Sequence, residues 1–159
     1  MKRVSLRVLA ALAATALVAP TAWAQGAPKS DHVMVKPGDL KWAAVPSLPP
    51  GAQGALIEGP MNEAVPFTLR LKFPPNYQVP PHSHTAIEHV TVVSGEFNLG
   101  MGDKFDESKT MALPAGSMAI MQPGTQHFAT TKVETIVQVH GIGPWVVNYV
   151  NPADDPRKK

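Results

Sequence analysis

The stretch Pro80-Pro81-His82-Ser83-His84-Thr85-Ala86-Ile87-Glu88 holds the side chains best suited to chemistry in this sequence. On an extended backbone His82 and His84 project to the same side, about 6.5 to 7 Å apart along the strand. Glu88 has the same parity and returns to that side if the chain stays extended or turns gently. Two imidazoles and a carboxylate on one inward face form a partial ligand set for a divalent transition metal, and the fourth ligand must come from another strand. His127 is the candidate: in Gln122-Pro123-Gly124-Thr125-Gln126-His127 a Pro-Gly turn places its ring at the start of a strand, facing back inward. Three imidazoles and one carboxylate suit iron, manganese, nickel, cobalt, copper or zinc, with positions left open if the site is octahedral. Glu88 can serve as a ligand or, if its carboxylate detaches, as a general base. Ligating imidazoles must be unprotonated, so metal affinity is expected to fall as pH drops below about 6.5.

The other histidines fit less well. His89 has the opposite parity to Glu88 and should face outward or into a second layer, His140 follows an apolar strand near Gly141, and His32 lies in a loose lead-in segment. A Ser/His/Asp triad is not expected, because no G-x-S-x-G turn exists and Ser83 points away from its two neighbours. Glycine-rich phosphate loops are absent as well. Arg70 is the only arginine between the amino-terminal segment and the tail, which disfavours phosphorylated substrates that need fixed cations. By strand alternation, Phe67, Leu69, Phe73, Phe97, Met101, Met118, Met121 and Phe128 are candidates to line a pocket, while Trp42 and Trp145 read as packing residues.

These side chains need short strands to position them, and the surrounding sequence supplies the pattern. Phe67, Leu69, Leu71 and Phe73 alternate with Thr68, Arg70 and Lys72 until Pro74-Pro75-Asn76 stops the strand. Val90 to Val93 ends at Ser94-Gly95, and Phe97, Leu99 and Met101 alternate after that turn. Gly102 to Ser108 reads as a polar loop; Thr110–Leu113, Ser117–Met121, Phe128–Thr131, Thr135–Val139 and Val146–Val150 follow as strands. Nothing after residue 24 keeps a helical period for three turns, so the chain is predicted to be all-β, a single-domain sandwich or barrel.

Residues 1–24 have the parts of a secretory signal peptide: Lys2, Arg3 and Arg7, then an apolar run, then Ala22-Trp23-Ala24. The apolar run is about 12 residues, short of the roughly 20 that cross a bilayer, so no stable membrane insertion is expected and the product is expected to be periplasmic or secreted. From Gln25 onward 11 Lys and Arg stand against 12 Asp and Glu, so the basic balance of the full chain belongs to the signal and nucleic-acid binding has no electrostatic basis. With no cysteine, disulfides, thiolate zinc sites and thiol nucleophiles are excluded. The expected organisation is a flexible segment at 25–32, one domain at 33–150, and a disordered mixed-charge tail at 151–159.

At the histidine-bearing stretches the chain resembles the cupin superfamily. Its first motif, G-x5-H-x-H-x3-E-x6-G, is met by His82, His84, Glu88 and Gly95, with Asn76 where the first Gly is usual. Its second, G-x5-P-x-G-x2-H-x3-N, is met by Gly116, Gly124 and His127, with Gln122 for Pro and Thr131 for Asn. The resemblance implies a cupin β-barrel (jelly roll, or double-stranded β-helix) and makes His82, His84, Glu88 and His127 the four ligands of one divalent metal ion. It also implies a homodimer and a small-molecule ligand. Small cupins with this ligand set include dioxygenases acting on phenolic or enol compounds, isomerases and decarboxylases, and the similarity reaches ChrR-like domains associated with sensing. The expectation is therefore an exported metal-dependent enzyme, dioxygenase-like or using Lewis-acid chemistry; the alternative is a non-catalytic metal- or ligand-binding module of the cell envelope.

Overall fold

The computed structural model describes residues 32–159. The expected signal peptide, and all of the flexible segment except His32, lie outside the described residues. Met34–Lys159 forms one compact unit. Its strands are β1 (Ala43–Ala44), β2 (Gln53–Glu58), β3 (Pro66–Phe73), β4 (Tyr77–His84), β5 (Glu88–Ser94), β6 (Glu96–Met101), β7 (Met111–Pro114), β8 (Met118–Met121), β9 (His127–Thr131), β10 (Thr135–Ile142) and β11 (Val147–Tyr149). They form two antiparallel sheets, ordered β1-β2-β3-β10-β5-β8 and β11-β4-β9-β6-β7. The fold is all-β, with only short 3-10 turns as helix among the described residues.

The alternation read from the sequence is realised in β3, where Phe67, Leu69, Leu71 and Phe73 are buried and Thr68, Arg70 and Lys72 are half-buried. The buried set joins Val90 and Val92 of β5 and Val137 and Val139 of β10 in one core, in which Phe73 packs against Tyr77 and Phe97. Burial of these faces is the main force holding the sheets together in a chain with no disulfide.

β4 departs from simple alternation in a way that decides where the histidines point. Tyr77 and Val79 are buried, and so are His82 and His84, although the two pairs have opposite parity. The β4–β9 register shifts between Val79 and His82, across Pro80-Pro81. A proline cannot donate to the ladder, and a bulge is where a strand tolerates one. The shift of one residue turns His82 and His84 inward; an unbroken strand would have turned them outward.

The three motif departures are each accommodated. Asn76 takes φ +57°, the left-handed conformation that asparagine tolerates better than most residues, and so fills the glycine role in the turn before β4. Thr131 is buried, and its hydroxyl donates to the carbonyl of Pro74 at 2.9 Å. Gln122 accepts, through its carbonyl, the backbone N–H of Thr125 at 3.0 Å, closing the turn before β9. Gly95 has φ +75°, and a Cβ there would sit 2.4 Å from the carbonyl oxygen of Glu134, so this turn admits only glycine.

Residues 151–159 are not the disordered tail expected. Pro152–Asp154 and Pro156–Lys158 are 3-10 turns, capped by the side chains of Asn151 and Asp155. The Arg157 guanidinium donates to Asp155 at 2.7 and 3.0 Å and to the carbonyl of Val147 at 2.8 Å, which fastens the segment to β11.

Candidate metal centre

His82 and His84 come from β4, and His127 comes from the first residue of the neighbouring β9, directly opposite His82 in register. Glu88 does not follow the histidines along one strand. The chain bends after His84 and crosses to the other sheet, where Glu88 opens β5 and reaches back across the interior. All four side chains are buried. The three histidines thus converge from two strands of one sheet, and Glu88 approaches two of them, His84 and His127, from the other.

Each imidazole is fixed from behind. Nδ1 of His82 faces the carbonyl of Pro80 at 2.7 Å, that of His84 the carbonyl of Val146 at 2.9 Å, and that of His127 the carbonyl of Thr125 at 3.0 Å. A carbonyl only accepts, so each Nδ1 carries the ring proton and each Nε2 is left with a lone pair. Nε2 of His84 is buried and has no hydrogen-bond partner, although a Glu88 oxygen lies 3.3 Å away. The same Glu88 oxygen lies 3.4 Å from Nε2 of His127. Two ligand atoms that each sit about 2.1 Å from a shared cation are about 3.0 to 3.4 Å apart at octahedral or tetrahedral angles. One nitrogen from each of the three histidines lies within 4.8 Å of the others, so the His82/His84/His127 triad can hold a metal ion.

The electrostatics favour the ligating protonation states. Burial, followed by the neighbouring His127 and His84, pushes the His82 imidazole down to about 3; the Pro80 hydrogen bond and Glu88 only partly offset this. His82 is therefore neutral at physiological pH. Burial alone would raise the Glu88 carboxyl, but the polar and electrostatic influence of the adjoining His127 and His84 side chains outweighs it and holds the group at about 2. Glu88 is thus an anion placed where a positive charge is wanted, and a metal cation satisfies that demand without protonating the rings.

The centre opens on a cavity of about 60 Å³. Of the eight lining residues expected from alternation, Leu69, Phe97 and Met121 line it. Phe67 and Phe73 are instead spent in the core, Met101 and Met118 are 56% and 49% exposed, and Phe128 turns to the other face of β9 beneath Phe105. The remaining wall is largely aliphatic, with Val79, Val90, Ala129, Val137 and Val139 among its members.

Two parts of the wall were missed by sequence reasoning. Val45, Ser47 and Leu48 form a strap across the cavity, held by Tyr149, whose hydroxyl donates to the Ser47 carbonyl at 2.8 Å, and by Tyr77, whose hydroxyl donates to the Pro49 carbonyl. Burial raises the hydroxyl of Tyr77 and that of Tyr149, the latter to about 12, so both stay protonated as donors. Trp145, expected only to pack, lines the cavity and stacks on His84 at 4.2 Å between ring centroids. No sequence periodicity marks either part, because both are irregular segments next to prolines.

His89 and His140 lie apart from this centre. They face each other across β5 and β10, with rings stacked at 4.8 Å, and neither touches the cavity.

Comparison with known proteins agrees with this picture. Residues 30–145 match the family model of the ChrR cupin-like domain. A search of curated proteins finds no match. Among solved structures, the polyketide cyclase RemF from Streptomyces resistomycificus is 20% identical with a TM-score of 0.64, covering 79% of this chain and 89% of its own. A putative acetylacetone dioxygenase from Methylibium petroleiphilum is 15% identical, with a TM-score of 0.61 and coverage of 82% and 88%. An acetylacetone dioxygenase from Acinetobacter johnsonii is 12% identical, with a TM-score of 0.59 and coverage of 82% and 85%. At such identities the likeness shows the fold. With three inward histidines on a two-sheet jelly roll and a family match that spans most of its length, the chain belongs to the cupin superfamily, in the ChrR cupin-like domain family.

Proposed function

We propose that this protein is a metal-dependent enzyme acting on a small organic molecule that brings an oxygen donor to the metal. The observation that carries the reading is the set of three histidines whose Nδ1 atoms are committed to carbonyls, so that their Nε2 lone pairs meet at the edge of an apolar cavity. A bound transition metal supplies Lewis acidity or, if it is redox-active, dioxygen activation. His82, His84 and His127 hold it, and Glu88 either completes the ligand set or takes a proton from the substrate. The aliphatic wall keeps water away and accepts a hydrocarbon body. The names of the fold neighbours, acetylacetone dioxygenase and polyketide cyclase, support a ligand rich in carbonyl or enol oxygen. The sequence of residues 1–24 supports work outside the cytoplasm, and the family resemblance supports a homodimer.

A second reading is a non-catalytic binding or sensing module. It is favoured by the scarcity of acid–base groups: beyond the three histidines, Glu88 is the only ionisable side chain among the described residues of the cavity wall. The two readings separate when the purified protein is loaded with Fe(II) and oxygen consumption is followed with acetylacetone and catechol as trial substrates. Uptake that disappears in Glu88→Ala and His127→Ala establishes the enzyme. Stoichiometric metal and ligand binding with no turnover for any metal establishes the module.

A further inference from the structure

One residue of the cavity wall, Trp145, carries a hydrogen-bond donor that the metal centre does not use. Trp145 is buried and lines the cavity together with all four proposed ligands. Its ring is held on two sides, stacked on His84 with planes 15° apart and tilted against Phe67 at 5.6 Å, and its backbone N–H donates to the Met61 carbonyl at 2.8 Å. The next residue, Val146, accepts the Nδ1–H of His84. The indole is therefore as firmly placed as the imidazole it covers. Yet its Nε1–H is buried and has no acceptor among the described residues.

Buried N–H groups without partners are uncommon, and each calls for an explanation. The remaining polar groups of the wall offer none. The three histidine Nδ1 atoms are already engaged, Glu88 faces His84 and His127, and Ser47 brings the only hydroxyl among the described residues of the wall. All other lining side chains are apolar. In a largely apolar pocket, a few fixed polar groups orient the ligand and set its specificity.

We infer that the indole N–H of Trp145 is the ligand's hydrogen-bond donor, and that the site selects uncharged, hydrocarbon-bodied molecules whose metal-binding end also presents an acceptor oxygen to Trp145. This rests on the proposed metal-dependent function and specifies which ligands that site takes. A site built around a donor rejects analogues that lack the matching acceptor, because the donor is then left buried and unpaired.

The test uses the zinc-loaded protein and two probes of similar size. Acetohydroxamate binds a metal through oxygen and offers acceptors; 1-propanethiol binds through sulfur and offers none. Trp145→Phe keeps an aromatic face on His84 and removes the N–H. The expected result is an acetohydroxamate Kd about tenfold higher in the variant, equivalent to about 1.4 kcal/mol, with the propanethiol Kd and the zinc stoichiometry unchanged. In the wild-type protein, the indole proton resonance that vanishes in Trp145→Phe should move downfield with acetohydroxamate and stay in place with propanethiol. If the phenylalanine variant does not fold, β-(3-benzothienyl)alanine at position 145 keeps the shape of the indole and removes the same proton. Equal weakening of both probes, or of neither, overturns the inference while leaving the metal site standing. Failure of the wild-type protein to take up zinc overturns both.

Discussion

Two groups of histidines occupy the same sheet system and differ in what stands behind them. Inside the sandwich, His82, His84 and His127 each have Nδ1 tied to a backbone carbonyl, which fixes tautomer and ring orientation and turns Nε2 to a common point. On the other side of the β5–β10 ladder, His89 and His140 stack face to face, and both have a buried Nδ1 with no partner. Nearly parallel rings, 8° apart, do not aim their nitrogens at a shared point. Proximity of imidazoles is common to both groups, and only the inner one has the backing that ligation needs.

The sharpest way to break the comparison is to remove one ring from each group. His127→Ala should abolish stoichiometric zinc uptake, measured by metal analysis after gel filtration, since it takes away one of three nitrogens and leaves Glu88 facing a gap. His140→Ala should leave uptake at the wild-type level. Loss of metal in the outer variant, or retention in the inner one, would reverse the assignment of the two groups.

The next effect in size is the response of the metal-free protein to acid. His82 titrates at about 3 when folded and near its ordinary value of 6.5 when unfolded. Below 6.5 the unfolded chain takes up a proton that folded His82 refuses, so stability falls as pH drops from 6.5 toward 3. Glu88 acts in the same direction at lower pH: its folded value is depressed from 4.5, so its contribution, present above 4.5, is lost as pH falls toward 2. Between pH 6.5 and 4.5 the His82 term amounts to about 2 to 3 kcal/mol, readable as a drop in the urea midpoint. His82→Gln should flatten that slope. His140 is also lowered, by burial and by His89, but it is far more open to solvent, and its replacement should change the slope much less.

The difference between the two groups was partly legible in the sequence. The parity of His82 and His84 against His89, and the Pro-Gly turn before His127, were sufficient to separate the three inward histidines from the outer pair. The reason that parity worked was hidden, because the inward turn of His82 and His84 depends on a register shift at Pro80-Pro81 that only strand pairing reveals. Glu88 arrives from the opposite sheet and lies 3.3 and 3.4 Å from His84 and His127, an approach that spacing along the chain does not show, because it says little about a crossing between layers. Trp145 and the strap at Val45–Leu48 owe their place to long-range hydrogen bonds such as Tyr149 to Ser47, which leave no local pattern. The tail is the opposite case: Asn151-Pro152 and Asp155-Pro156 are each a capping residue followed by a proline, a readable helix-start signal that composition overshadowed.

The smallest expected effect tests the outer pair itself. Replacing both rings with His89→Phe and His140→Phe keeps two flat side chains in a cross-strand stack and removes two buried, unpartnered nitrogens. An orphaned buried nitrogen costs stability, whereas an apolar replacement of similar shape is near neutral or favourable. The double variant should therefore unfold within about 1 kcal/mol of the wild type, on the stabilising side if it differs, with zinc uptake unchanged. A loss of stability well beyond that figure would mean that the imidazoles make contacts that matter to the folded sheet. A loss of zinc at unchanged stability would mean that β5 transmits their arrangement to Glu88, the neighbour of His89 on the inward face.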